Sequence, residues 1–78
     1  MPVLPQEIRE HLMASNPQFQ QLAQEHSRYE SQLEQLTTQT YLNAEDLILQ
    51  IELKKRKLRV KDEMERLMAA HQRELVHR

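Results

Sequence analysis

Phe19, Leu22, His26, Tyr29, Leu33 and Leu36 follow one another at steps of 3, 4, 3, 4 and 3, with Gln, Glu and Ser in the intervening positions. Such spacing returns a side chain to one helix face about every 3.5 residues, which is a heptad seam. Its polar member, His26, is expected to be a partly buried residue that fixes register rather than a ligand. Asn16 and Pro17 precede the seam. Asparagine caps helix N-termini well, proline fits the first helical position, and a residue before proline is pushed out of helical geometry. Thr37, Thr38 and Thr40 are poor helix formers. The pattern therefore predicts a middle helix over about 17–38. Ahead of it, Pro5 opens a short helix over about 5–14, in which Ile8 and Leu12 share a face.

Asn43-Ala44-Glu45-Asp46 has the chemistry of a third helix start, with a capping Asn and acids at the positive end of the dipole. No Gly or Pro follows, so a long helix is predicted over 44–76. Its apolar residues fall on two stripes. One holds Leu47, Ile51, Leu58 and Met68; the other, displaced by about 75°, holds Leu53, Val60, Met64 and Leu67. The link Gln39–Asn43 is short enough to fold the last two helices antiparallel. A loop centred near Tyr41 would set His26 opposite the stretch Lys54–Leu58.

The expected fold is thus all-α, one small domain spanning 1–78. It is an antiparallel, coiled-coil-like helical hairpin with a short N-terminal helix. Phe19, Leu22, His26, Tyr29, Leu33 and Leu36 form the expected hairpin core. A single antiparallel partner covers one stripe of the long helix and part of the next, and periodicity alone leaves open which one. Leu53, Val60, Met64 and Leu67 are the candidates for an oligomer interface, giving a homo-oligomeric bundle, a dimer or a tetramer. The last dozen residues of the long helix outrun the middle helix. Ile8 and Leu12 offer a way for the short helix to fold back over that end.

Composition supports elongated helices over an enclosed core. Hydrophobic residues are 38% of the chain, but one Phe, two Tyr and no Trp supply little bulk. Cysteine is absent, which removes disulfides and thiolate metal sites. The net charge of −1 hides an asymmetry. Residues 1–46 carry two Arg against seven acids, whereas residues 47–78 carry nine Lys and Arg against five acids. The basic run Lys54–Lys61 spreads around the helix cylinder and lacks interleaved aromatics, so it reads mainly as a solvated face. Lys55, Arg56 and Arg59 would be its contacts to a polyanion, and binding to duplex DNA is expected to be weak and unspecific.

His11, His26, His71 and His77 show no pairing at i, i+4, and no catalytic motif occurs. No enzyme activity, cofactor or metal site is expected. The first ten residues do not read as a signal peptide and no apolar run reaches a membrane span, so a cytoplasmic location is the default expectation.

ASNPQFQQLAQEHSRYESQLEQL at 14–36, followed by LKKRKLRVKDEMERLM at 53–68, resembles the YdcH-like family of small bacterial proteins, a domain of unknown function. The matching positions are Asn16, Pro17, Phe19 and His26, then Leu53, Lys54, Lys55, Lys57, Leu58, Lys61, Asp62 and Glu63. Val60 and Met64 depart from the pattern by apolar substitution only. The resemblance implies a helical hairpin in the bacterial cytoplasm without an assigned reaction. The function expected from all of this is a self-associating, non-enzymatic module for protein–protein contact. A weak nucleic-acid or anionic-surface binder is the alternative.

Overall fold

A computed structural model describes residues 4–76 of the chain. Within them lie three helices: α1 (Pro5–Ser15), α2 (Pro17–Thr37) and α3 (Ala44–Val76). The particle measures 53 × 20 × 17 Å. Its long dimension is therefore α3 itself, since 33 residues rising 1.5 Å each span about 50 Å.

The helix starts follow from their caps. Asn16 has extended geometry, and its side-chain oxygen accepts a hydrogen bond from the Phe19 N–H at 3.0 Å. Pro17 then occupies a position whose N–H would have had no helical partner. At α3, the Asn43 side-chain oxygen accepts from the Asp46 N–H at 2.8 Å, and Asp46 Oδ2 accepts from the Asn43 N–H at 3.3 Å. This reciprocal pair is a capping box with aspartate in the return position. α1 has no side-chain cap and relies on Pro5 at its first turn. It closes through the Asn16 N–H, which donates to the Leu12 carbonyl at 2.8 Å. The Gln20 side chain donates to the Met13 carbonyl at 2.6 Å, tying the corner between α1 and α2. At the other end of α2, the Thr37 and Thr38 hydroxyls donate back to the Glu34 and Gln35 carbonyls at 2.9 and 2.8 Å. Hydroxyls that compete in this way for main-chain acceptors favour helix termination.

α2 and α3 lie side by side as an antiparallel hairpin. Glu30 meets Lys57, Thr37 shares a groove with Gln50 and Lys54, and Phe19 packs with Val60 and Met64. The core is centred on Ile8, Leu12, Phe19, Val60 and Met64, with Leu22, Ala23, Tyr29, Leu67 and Met68 packed around it. Phe19 is fully buried. It is the point where all three helices converge, because α1 folds back across α3 and inserts Ile8 and Leu12 beside it. His11 of α1 stacks on His71 of α3, with ring centroids 4.8 Å apart and planes 18° from parallel. The expected overrun of α3 is thereby shortened: Ala70, His71 and Gln72 are partly buried, while Leu75 remains exposed.

Two expectations change. The stripe Leu53, Val60, Met64 and Leu67, expected at an oligomer interface, faces inward instead: the first three are buried and Leu67 packs against the core. The reason is continuity. Asp46, Gln50, Leu53, Lys57, Val60, Met64, Leu67 and His71 follow at steps of 4, 3, 4, 3, 4, 3 and 4, and every one of them is buried or partly buried. That seam runs beneath both α2 and α1, whereas the stripe through Leu47, Ile51 and Leu58 gives way to Asp62 and Glu65. The register also shifts along α3. His26 shares its groove with Lys57, inside the expected stretch Lys54–Leu58, and with Lys61 beyond it; since Glu30, one turn on, meets Lys57, the register is displaced toward the C-terminus of α3. The linker, residues 38–43, carries the chain past the end of α2 before α3 begins, so residues 44–49 have no stretch of α2 beside them.

Candidate functional site

The first two turns of α3 carry large apolar side chains that stay about half exposed among the described residues. Leu47, Ile48, Leu49 and Ile51 are 47%, 62%, 47% and 54% exposed, and Leu58 further along is 58% exposed. Tyr41 of the linker stands beside this end of the hairpin at 88% exposure. Within 44–52 the two positions that belong to the hairpin seam, Asp46 and Gln50, are polar, and all the large apolar residues lie off it. At 100° per residue, Leu47, Ile51 and Leu58 fall within about 40° of one another, roughly 135° from the middle of the buried face. They make a stripe directed away from α2. Contiguous exposed apolar surface of this kind marks an interaction site more often than not.

The residues of the expected hairpin core have unequal depths. Phe19 and Leu36 are buried; Leu22, His26, Tyr29 and Leu33 are partly buried. His26 Nδ1 lies 3.8 Å from Glu30 Oε2, and Glu30 Oε1 lies 3.7 Å from Lys57 Nζ. The trio bridges α2 and α3 at the hairpin's edge. With Glu30 59% exposed, it contributes orientation more than energy.

Lys55, Arg56 and Arg59 are exposed, as are Lys54 and Lys61. Lys57 is drawn toward Glu30, and Arg56 pairs with Glu52 at 4.0 Å within α3. The basic residues thus surround the helix, and two of them are engaged by acids of the same chain. The groove beside them is lined by Pro5, Arg9, His26, Glu30, Lys57, Lys61 and Glu65 among others, a mixture of both signs. Among the described residues, no group of three or more His, Asp or Glu is arranged to hold a metal ion, and no helix is long and apolar enough to cross a membrane. His77 lies outside the described residues.

Sequence reasoning missed the exposed end of α3 as a unit. Its signal was present: Leu47-Ile48-Leu49-Gln50-Ile51 is apolar on nearly every side of a helix, and one antiparallel partner cannot cover that. The stack of His11 on His71 left no comparable trace, because it depends on how α1 crosses α3.

Neither the curated proteins nor the solved structures contain a match to this chain. Residues 19–68, from Phe19 at the convergence of the helices to Met68 at the far end of the core, match the family described as "Protein of unknown function (DUF465)". That segment contains the hairpin, its linker and the exposed end of α3, and it is well over half of the chain. The protein therefore belongs to the DUF465 family, which includes the YdcH-like proteins.

Proposed function

We propose that the protein is a non-enzymatic helical-hairpin module that self-associates and makes protein–protein contacts through the outward face of α3. The observation that carries this reading is the exposure of Leu47, Ile48, Ile51 and Leu58 on a chain of 78 residues. Burying such side chains gains about 1.5–3 kcal/mol each, and the monomer leaves that gain unused over about half of each surface. The hairpin's own stability does not need these residues, because its seam passes them by. Their retention on the solvent side makes sense as a surface meant to be covered. A cytoplasmic location forms part of the reading and rests on the resemblance to small bacterial proteins.

Sedimentation equilibrium at micromolar concentration tests it. The expected result is a mass at or above that of a dimer for the natural sequence and a monomer mass for Ile48→Glu/Ile51→Glu. A monomer mass for the natural sequence overturns self-association.

A second reading, a weak nucleic-acid or anionic-surface binder, is favoured by the exposure of Lys55, Arg56 and Arg59. Gel-shift at physiological salt separates the two. Saturable sub-micromolar binding lost on changing these three residues to Gln would establish this reading, since binding through phosphates weakens steeply with salt.

A further inference from the structure

The order of charges along α3 carries the proposal one step further, to the geometry of the assembly. Residues 45–52 hold three acids, Glu45, Asp46 and Glu52, and no base. Residues 54–61 hold six bases and no acid. The apolar stripe runs through both blocks: Leu47, Ile48 and Ile51 lie in the acidic one, Leu58 in the basic one. We infer that the occupant of this stripe is a second copy of the same chain, with the two α3 helices antiparallel about a dyad at the level of Glu52 and Leu53. This inference rests on the self-association proposed above.

The argument is one of complementarity. Lys57 is turned inward to Glu30, but two copies paired in parallel would set the exposed Lys54, Lys55 and Lys61, which lie nearest the stripe, beside their own counterparts at the same height. Two copies paired antiparallel about residues 52–53 set those lysines beside the base-free stretch 44–52 of the other copy, where Glu45 and Glu52 are exposed and Asp46 lies on the inward seam. Charges flanking an apolar seam choose orientation in this way, because like-charge juxtaposition is penalised while opposite charges are accommodated at little cost. The same pairing brings Leu47 and Ile48 of one copy beside Leu58 of the other, so the apolar ends of the stripe cover each other. Near the dyad, Glu52 of each copy comes within reach of Lys55 of the other. The lysine stems on either side can lie over the seam and keep their ammonium groups in water. A two-fold pairing is self-complementary and closes, so it yields a discrete dimer rather than a filament. Both α1 and α2 pack on a face of α3 whose middle lies roughly 135° from the stripe.

Cross-linking between different variants reads the orientation directly, and the absence of cysteine from the chain leaves no background. Ile48→Cys and Leu58→Cys are both at exposed positions, so each variant should keep the helical signal of the natural chain. An equimolar mixture is oxidised at micromolar concentration, the disulfide products are separated and identified by mass spectrometry, and the mass of the unoxidised mixture is measured beside it. The antiparallel dimer predicts the mixed 48–58 product in several-fold excess over 48–48 and 58–58. Ten residues correspond to about 15 Å along a helix, far beyond disulfide reach, so a parallel pair gives the reverse pattern. A dimer mass with 48–48 and 58–58 products would overturn the orientation and leave self-association standing. A monomer mass without cross-links would overturn both, leaving the stripe to a different protein.

Discussion

The two halves of α3 are built from the same residue types and behave in opposite ways. From Leu53 to His71 the apolar residues Leu53, Val60, Met64 and Leu67 lie on the seam beneath α2 and α1 and are buried or packed on the core. From Ala44 to Glu52 the seam positions are Asp46 and Gln50, and Leu47, Ile48, Leu49 and Ile51 lie off it in solvent. Hydrophobicity does not separate the halves. Phase does. An apolar side chain stabilises the monomer only if its angle on the helix and its height along the axis both coincide with a neighbour. In the C-terminal half every apolar residue on the seam satisfies both conditions and Leu58, off the seam, does not, whereas the N-terminal half fails the first along most of its length and the second up to residue 49.

The contrast breaks first at the convergence of the three helices. Phe19→Ala should cost about 3–5 kcal/mol, a large part of the stability of so small a domain, and should lower the thermal midpoint followed by circular dichroism by well over ten degrees. A midpoint within a degree or two of the natural protein would mean that Phe19 does not join the helices as described. The paired test comes next. Leu53→Ala should cost about 2–5 kcal/mol, while Ile51→Ala, two residues away and on the outward face, should change the stability of the dilute monomer by less than about 0.5 kcal/mol. Urea titration at low protein concentration measures both; equal losses would erase the distinction between the halves.

Much of this was legible in the pattern of the chain. The helices at Asn16-Pro17 and Asn43-Ala44 were readable because their caps are local chemistry, satisfied within three residues. The hairpin was readable because the seam of α2 is uninterrupted from Phe19 to Leu36. The facing stripe of α3 was not. Its heptad is carried through Gln50, Lys57 and His71, whose polarity hides it, while the showier run Leu47–Ile51 belongs to another face. Lys57 completes the seam with its methylene stem and turns its ammonium group toward Glu30. The height of α2 against α3 was equally hidden. It depends on how far the linker 38–43 climbs before α3 begins, and linker length alone does not state that.

A smaller effect sharpens the comparison at the start of the uncovered half. Asn43→Ala removes the side chain that accepts from the Asp46 N–H. It should cost about 0.5–2 kcal/mol, and it should fray residues 44–49 first, because no stretch of α2 holds them. Hydrogen exchange of those amides is the readout: faster exchange confined to the first turns of α3 is expected, and uniform acceleration along the helix would show that this end is not independent of the hairpin.

The most direct test of the central claim, that the outward face of α3 is covered by association, is the dependence of the melting temperature on protein concentration. Association that favours the folded state raises the midpoint with concentration, so the natural protein should melt several degrees higher as its concentration rises from about 5 to about 500 µM. Ile48→Glu/Ile51→Glu should melt at one temperature throughout that range. A natural protein whose midpoint does not move with concentration, and which melts together with the double variant, would contradict the account.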